Sequence, residues 1–202
     1  MLIGIMSDVH CNAAAMDRAV TELAPVVDAM LVAGDAVLQY RFSNEVVEAI
    51  REHDIPYVTG NHEWTLLEHG QRALSAPEHR RSNIEFMAAA PARFEMQASG
   101  KRLLMVHASP FPPYGEYLHA GSPGLARCGE VDADILVLGH THVPLATRVG
   151  STLVVNPGSL GQGGDPSHPN MVSYGILDTD SDEFTVHRFR NPSLPAPAPR
   201  PA

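Results

Sequence analysis

Short runs of apolar residues punctuate the chain at Leu2–Met6, Ala29–Val32, Tyr57–Thr59, Leu103–Val106, Ile135–Leu138 and Leu153–Val155. Runs this short, with little polar–apolar alternation, suit strands covered on both faces. Helical spacing separates the early ones. Met16, Ala19, Val20 and Leu23 recur at i, i+3, i+4 and i+7 to make one apolar stripe, with Asn12 at the N-cap position. A second helix is predicted from Ser43, with Glu45 in its first turn and Val46, Val47 and Ile50 turned inward. The order strand–helix–strand–helix–strand implies βαβ units and a largely parallel sheet at the start of the chain. Residues 65–100 read as helices and connections interrupted at Pro77 and Pro91. The stretch after Leu153 reads as strands without helices, so the sheets are expected to be mixed. Five prolines fall within residues 191–202. They predict a domain over residues 1–190 followed by a Pro/Ala-rich, disordered or polyproline-like tail.

Chemistry-bearing side chains sit at the ends of these strands. Asp8-Val9-His10 follows the first, Gly34-Asp35 the second and Gly60-Asn61-His62-Glu63 the third. His107 follows the fourth, and Gly139-His140-Thr141-His142 the fifth. Ligand sites in open α/β sheets form beyond the carboxyl ends of strands, so these five loops are expected to converge. Any one of them alone is an ordinary turn or surface pair. Their joint occurrence at five strand ends points to a metal site. Gly34, Gly60 and Gly139 are expected to permit tight turns just before the liganding side chains.

Composition sharpens this picture. The chain has 202 residues, 11 His, only 2 Cys and a net charge of −9. Oxygen and imidazole donors without thiolate suit divalent Mn, Fe, Co, Ni or Zn and fit a closed structural zinc site poorly. Cys11 and Cys128 make neither a disulfide framework nor a CxxC pair, which favours a reducing cytoplasm. The N-terminal run lacks a basic region and a cleavage site, and no apolar stretch is long enough to span a bilayer. The acidic balance disfavours an anionic membrane or a polynucleotide as partner, and with it a nuclease role. Divalent cations held by such donors would still make the site locally positive.

Together with Ser43-Asn44-Glu45-Val46-Val47 and Asn156-Pro157-Gly158-Ser159, these motifs resemble the calcineurin-like metallophosphoesterases. The similarity is to their small bacterial and archaeal phosphodiesterase branch. The resemblance implies an α/β (α+β) fold: a four-layer α/β/β/α sandwich of two mixed sheets flanked by helices. It implies that Asp8, His10, Asp35 and His142 hold one divalent ion. Asp35, Asn61, His107 and His140 would hold a second, with Asp35 bridging and Mn as the first expectation. It further implies hydrolysis of a small phosphate ester or nucleotide, most simply a phosphodiester, by a metal-bridged hydroxide. His62 would assist the leaving group.

Dinucleoside polyphosphate hydrolysis and phosphomonoesterase activity are the alternatives in the same class, and a non-catalytic scaffold on this fold is the alternative in another. Intact ligands weigh against the scaffold. The Arg that phosphoprotein phosphatases carry after the second motif is missing, which weighs against that activity. Cys11 stands where the family usually has Gly. Of the other histidines, His119 is the best placed to line a cleft. Arg80 and Arg81 read equally well as phosphate contacts or as a solvated helix face.

Overall fold

The computed structural model describes residues 1–195. The apolar runs become strands β1 (Leu2–Met6), β2 (Ala29–Val32), β4 (Lys101–Val106), β5 (Ile135–Val137) and β7 (Thr152–Asn156). Four more strands join them: β3 (Arg93–Ala98), β6 (Leu145–Val149), β8 (Met171–Asp178) and β9 (Glu183–Arg190). One sheet has the order β2-β1-β8-β9 and the other β3-β4-β5-β7-β6. Both are mixed. β1 and β2 run parallel, as do β4, β5 and β7, while β8, β9, β3 and β6 pair antiparallel.

The two sheets face each other across Ile3, Ile5, Leu31, Leu103, Met105, Ile135, Val137 and Leu177. Helix α1 (Ala13–Leu23) covers the outer face of the first sheet with the predicted stripe Met16, Ala19, Val20 and Leu23. Asn12 caps it through its side chain, which accepts from the Ala15 N–H. Helix α2 (Asn44–Glu52) starts under Ser43 and buries Val46, Val47 and Ile50 in the same layer. Helices α3 (Asn61–His69), α4 (Gln71–Leu74) and α5 (Arg81–Ala88) extend that cover. On the opposite face, α6 (Pro123–Ala126) and the following 3₁₀ turn bring Leu125 and Cys128 onto Leu104, Leu136 and Val154. This is the expected four-layer α/β/β/α sandwich.

Two local expectations are corrected. The run Tyr57–Thr59 makes a single bridge, Val32 to Tyr57, rather than a strand. Pro56 has no N–H to give, and Thr59 turns away to donate to the Pro91 carbonyl at 2.9 Å. Residues 93–98, expected among helices and connections, form strand β3. Phe94, Met96 and Ala98 point into the inter-sheet core while Arg93, Glu95 and Gln97 face outward, the period-two pattern of an edge strand. Part of the expected tail is also within reach of the structure. Asn191 is buried, accepts from Asn12 Nδ2 at 3.0 Å and donates to the Gly161 carbonyl at 2.8 Å. The rest of the tail, residues 196–202, lies outside the described residues. Among the described residues no helix is long and apolar enough to cross a membrane.

Candidate metal centre

The loops after β1, β2, β4 and β5 meet the start of α3 at one end of the sandwich. Backbone bonds zip the first two together: Asp8 N–H donates to the Gly34 carbonyl, His10 to Asp35 and Cys11 to Ala36, at 2.9–3.0 Å. The first sheet's loop joins the second sheet's through Asp8, whose Oδ2 accepts from the Ser7 hydroxyl at 2.6 Å and the His140 N–H at 2.9 Å. Asp8, His10, Asp35, His140 and His142 all have positive φ, between 50° and 67°. Side chains seldom occupy that left-handed region, and when they do it is often at functional sites.

The sequence-stretch glycines contribute in two different ways. Gly34 has a φ of +89°, as a tight turn requires. Gly60 and Gly139 have no positive φ and serve close approach instead. A Cβ at Gly60 would stand 2.1 Å from Asp35 Oδ1, and one at Gly139 would stand 2.0 Å from Ser7 Oγ.

Every candidate ligand is at this end. Ligand atoms of Asp8, His10 and His142 lie within 4.8 Å of one another, as do those of Asp35, His107 and His140. His142 Nε2 is 3.2 Å from Asp8 Oδ1 and 3.0 Å from His10 Nε2. His107 Nε2 lies 3.2 Å from Asp35 Oδ2 and 3.1 Å from Asn61 Oδ1. Asp35 also forms a group with His10 and His62, so it stands between the two sets. Two features show that this donor set fits cations. Asp8 Oδ1 and His140 Nε2 are buried without any hydrogen-bond partner. His107 Nδ1 is 2.8 Å from the Ala33 carbonyl, which holds a proton there and turns Nε2 inward.

Burial opposes charge on Asp35, but His107 and His62 beside it hold the carboxyl well below its usual range. Burial likewise opposes charge on His107, and Asp35 and Asp8 outweigh it, raising the imidazole to about 10. Burial wins at His10, which falls to about 4 despite both carboxylates. Without an ion, Asp35 and His107 balance each other as a carboxylate–imidazolium pair, whose imidazole proton a bound cation would replace.

A calcineurin-like phosphoesterase superfamily domain matches residues 1–182. The chain belongs to that superfamily. An uncharacterised protein of Methanocaldococcus jannaschii, MJ0912, is 26% identical over 93% of this chain and 86% of its own length. The phosphodiesterase YfcE of Escherichia coli K12 is 47% identical over a 47-residue stretch, 23% of this chain and 24% of YfcE. The crystal structure of a metallophosphoesterase from Sphaerobacter thermophilus superposes with a TM-score of 0.72 at 27% identity, covering 94% of this chain and 89% of that one. Calcineurin-like phosphoesterases are metal-dependent hydrolases, so the expectation of an enzyme of this class stands.

In this phosphoesterase the Asn156-Pro157-Gly158-Ser159 motif braces the site, and the Ser43–Val47 motif braces the helices beside it. Asn156 donates to the Gly139 carbonyl at 2.6 Å, and Ser159 Oγ donates to the Asp8 carbonyl at 2.8 Å. Asn44 ties α2 to the next helices by accepting from the Arg80 N–H at 2.9 Å and from Asn83 Nδ2 at 3.1 Å. Glu63 was only a motif letter in the sequence. Fully buried, it accepts from the N–H groups of Asp35 at 3.0 Å, Val37 at 3.1 Å and Gly60 at 2.7 Å.

Other expectations resolve individually. Arg80 pairs with Glu48 and Arg81 with Glu85, which makes them a helix surface rather than phosphate contacts. His119 does not line the cavity beside the site; Tyr117, two residues earlier, stacks on His140 with ring centres 3.9 Å apart. Cys11 is buried and donates to the Arg41 carbonyl at 3.2 Å, and Cys128 is buried in the outer core. The Arg41 guanidinium in turn reaches the Cys11 carbonyl at 3.3 Å, beside His10, although no Arg follows Asp35 directly. Spacing alone could not have placed it there, because a Leu38–Arg41 bridge folds the chain back.

Proposed function

We propose that this protein is a two-metal phosphodiesterase acting on a small phosphate ester. The observation that carries the reading is the position of Asp35 between two groups of buried nitrogen and oxygen donors. Asp8, His10 and His142 with Asp35 would hold one divalent ion. Asn61, His107 and His140 with Asp35 would hold the other, with Mn the first expectation. When bound, such ions polarise a phosphoryl oxygen and make water nucleophilic near neutral pH.

The chain's own residues supply the rest. The Ala33 carbonyl fixes the His107 ring, and the Ser7 hydroxyl and His140 N–H occupy Asp8 Oδ2, leaving Oδ1 to point inward. His62 has its tautomer set by the backbone: Nδ1 accepts the Gln39 N–H at 2.9 Å, so the ring proton resides on Nε2. That Nε2–H lies 3.7 Å from Asp35 Oδ2, at the edge of the site, where it can donate a hydrogen bond to the phosphoryl group or to the departing ester oxygen and stabilise the charge that develops there. Chelation followed by Mn²⁺ readdition tests the reading with bis(p-nitrophenyl) phosphate. Hydrolysis lost and then restored is expected; no metal-restored hydrolysis across several esters overturns it.

A further inference from the structure

We infer that a cavity opening from the Asn61–His107 side of the site receives a planar, uncharged ring carried by the ester. This assigns the protein to aryl or nucleoside phosphate esters, and it rests on the phosphoesterase reading above. The cavity measures about 740 Å³ and starts at Gly60, Asn61 and His107. Volumes of this size accommodate whole small-molecule ligands. Its walls are mostly apolar, with Trp64 from α3, Val106 from β4, Val131, and Phe111 and Tyr114 from the loop after His107.

The aromatic members are placed as a ligand would need them. Trp64 is 60% exposed and Tyr114 64% exposed, so neither ring is spent on the core. Tyr114 also has a φ of 61°, a conformation bulky residues rarely adopt. The Arg127 guanidinium lies 4.5 Å over the Phe111 ring and holds it in place. Flat, amphipathic rings at a cavity mouth recognise other rings by stacking.

Charge tells which rings. The Arg on the wall, Arg93, is paired with Glu95. Glu130 and Asp132 also line the cavity, Asp132 paired with Arg102 at 2.7 Å. A second phosphate in the cavity would therefore meet the Glu130 carboxylate, while the lining guanidinium, Arg93, is already paired and Arg127 is engaged over the Phe111 ring. An uncharged ring meets no such opposition. Stacking on an aromatic side chain raises affinity by roughly tenfold.

Trp64 is the single tryptophan of the chain and reports on the cavity directly. Zinc-loaded protein is titrated with adenosine monophosphate, phenylphosphonate and methylphosphonate, following Trp64 fluorescence, with methylphosphonate measured by competition. Either ring-bearing probe is expected to quench saturably and to bind at least tenfold more tightly than methylphosphonate. A preference confined to adenosine monophosphate identifies nucleoside esters, and one confined to phenylphosphonate identifies simpler aryl esters. Tyr114→Ala, at an exposed position, is expected to weaken the ring-bearing probes about tenfold and to leave methylphosphonate unchanged; Phe111→Ala provides a second variant. Methylphosphonate binding as tightly as the others, no probe binding, or equal weakening of all probes overturns the inference. Hydrolysis of bis(p-nitrophenyl) phosphate by the same preparations, reloaded with Mn²⁺, separates the two readings. Hydrolysis without ring preference rejects the cavity assignment alone, and ring preference without hydrolysis rejects the phosphoesterase reading alone.

Discussion

Replacing Glu63 with Gln exchanges one carboxylate oxygen for an NH₂ group and leaves the volume unchanged. Glu63 Oε2 accepts from Asp35 and Gly60, and Oε1 accepts from Val37. A Gln oxygen in the Oε2 place keeps two of these bonds, and its NH₂ then faces the Val37 N–H. One buried donor without a partner costs about 1–3 kcal/mol. A second effect opposes this one. Burial and then the Asp35 charge push the Glu63 carboxyl up from 4.5 to about 7, although the N–H groups of Gly60 and Val37 pull it down. Because the folded value lies above the unfolded one, the folded state holds the proton more tightly. The resulting stabilisation is complete below pH 4.5 and is lost as pH rises through about 7. Its full size is roughly 3 kcal/mol. Gln does not titrate and escapes that loss. Metal-free Glu63→Gln protein is therefore expected to be less stable than the parent by about 1–3 kcal/mol near pH 5, with the gap closed or inverted near pH 8.5. Urea unfolding of both proteins at the two pH values measures it. Equal stability near pH 5 would refute the bracing role, and a gap unchanged with pH would refute the raised carboxyl.

Asp35→Asn is expected to lower bound metal, measured by elemental analysis, far more than His62→Ala; equal losses would contradict a shared position for Asp35 and a separate one for His62. Gly139→Ala places a Cβ 2.0 Å from Ser7 Oγ and 2.8 Å from Asp8 Oδ2, so it should cost about 1–3 kcal/mol in urea unfolding and reduce metal content. Unchanged metal content would show that Asp8 tolerates the shift. Asn191→Ala removes bonds to Asn12 and Gly161 and is expected to lower thermal stability by about 1–3 kcal/mol, read by calorimetry. An unchanged melting temperature would show that this segment adds nothing to the domain.

The buried parallel strands and the two amphipathic helices were legible because continuous apolar runs and a 3.6-residue stripe are local signals. β3 and β6 alternate inward and outward, and Phe94, Met96 and Ala98 carried that pattern through a stretch dominated by helical neighbours. The candidate ligands were legible from motif spacing, since each strand end delivers its side chain with little intervening chain. What holds them was not. Glu63, Ser159 and Asn156 act through hydrogen bonds to backbone groups distant in sequence, and such partners leave no periodic trace. Asn12 and Asn191, 179 residues apart, show the same limit. Gly60 and Gly139 are required by closeness to another chain segment rather than by a turn, and that closeness is a tertiary fact.

The left-handed backbone at Asp8, His10, Asp35, His140 and His142 bears on the order of events when a cation arrives. Each such residue costs about 1–3 kcal/mol in local strain, and folding meets that cost through the sandwich and its interlocked loops. On the proposed two-metal reading, the loops' own hydrogen bonds rather than the ions would hold the donors, unlike a zinc finger, whose ligands assemble only around the metal. An ion leaving the centre would leave a folded vessel behind, open to exchange with whichever divalent cation the surroundings supply.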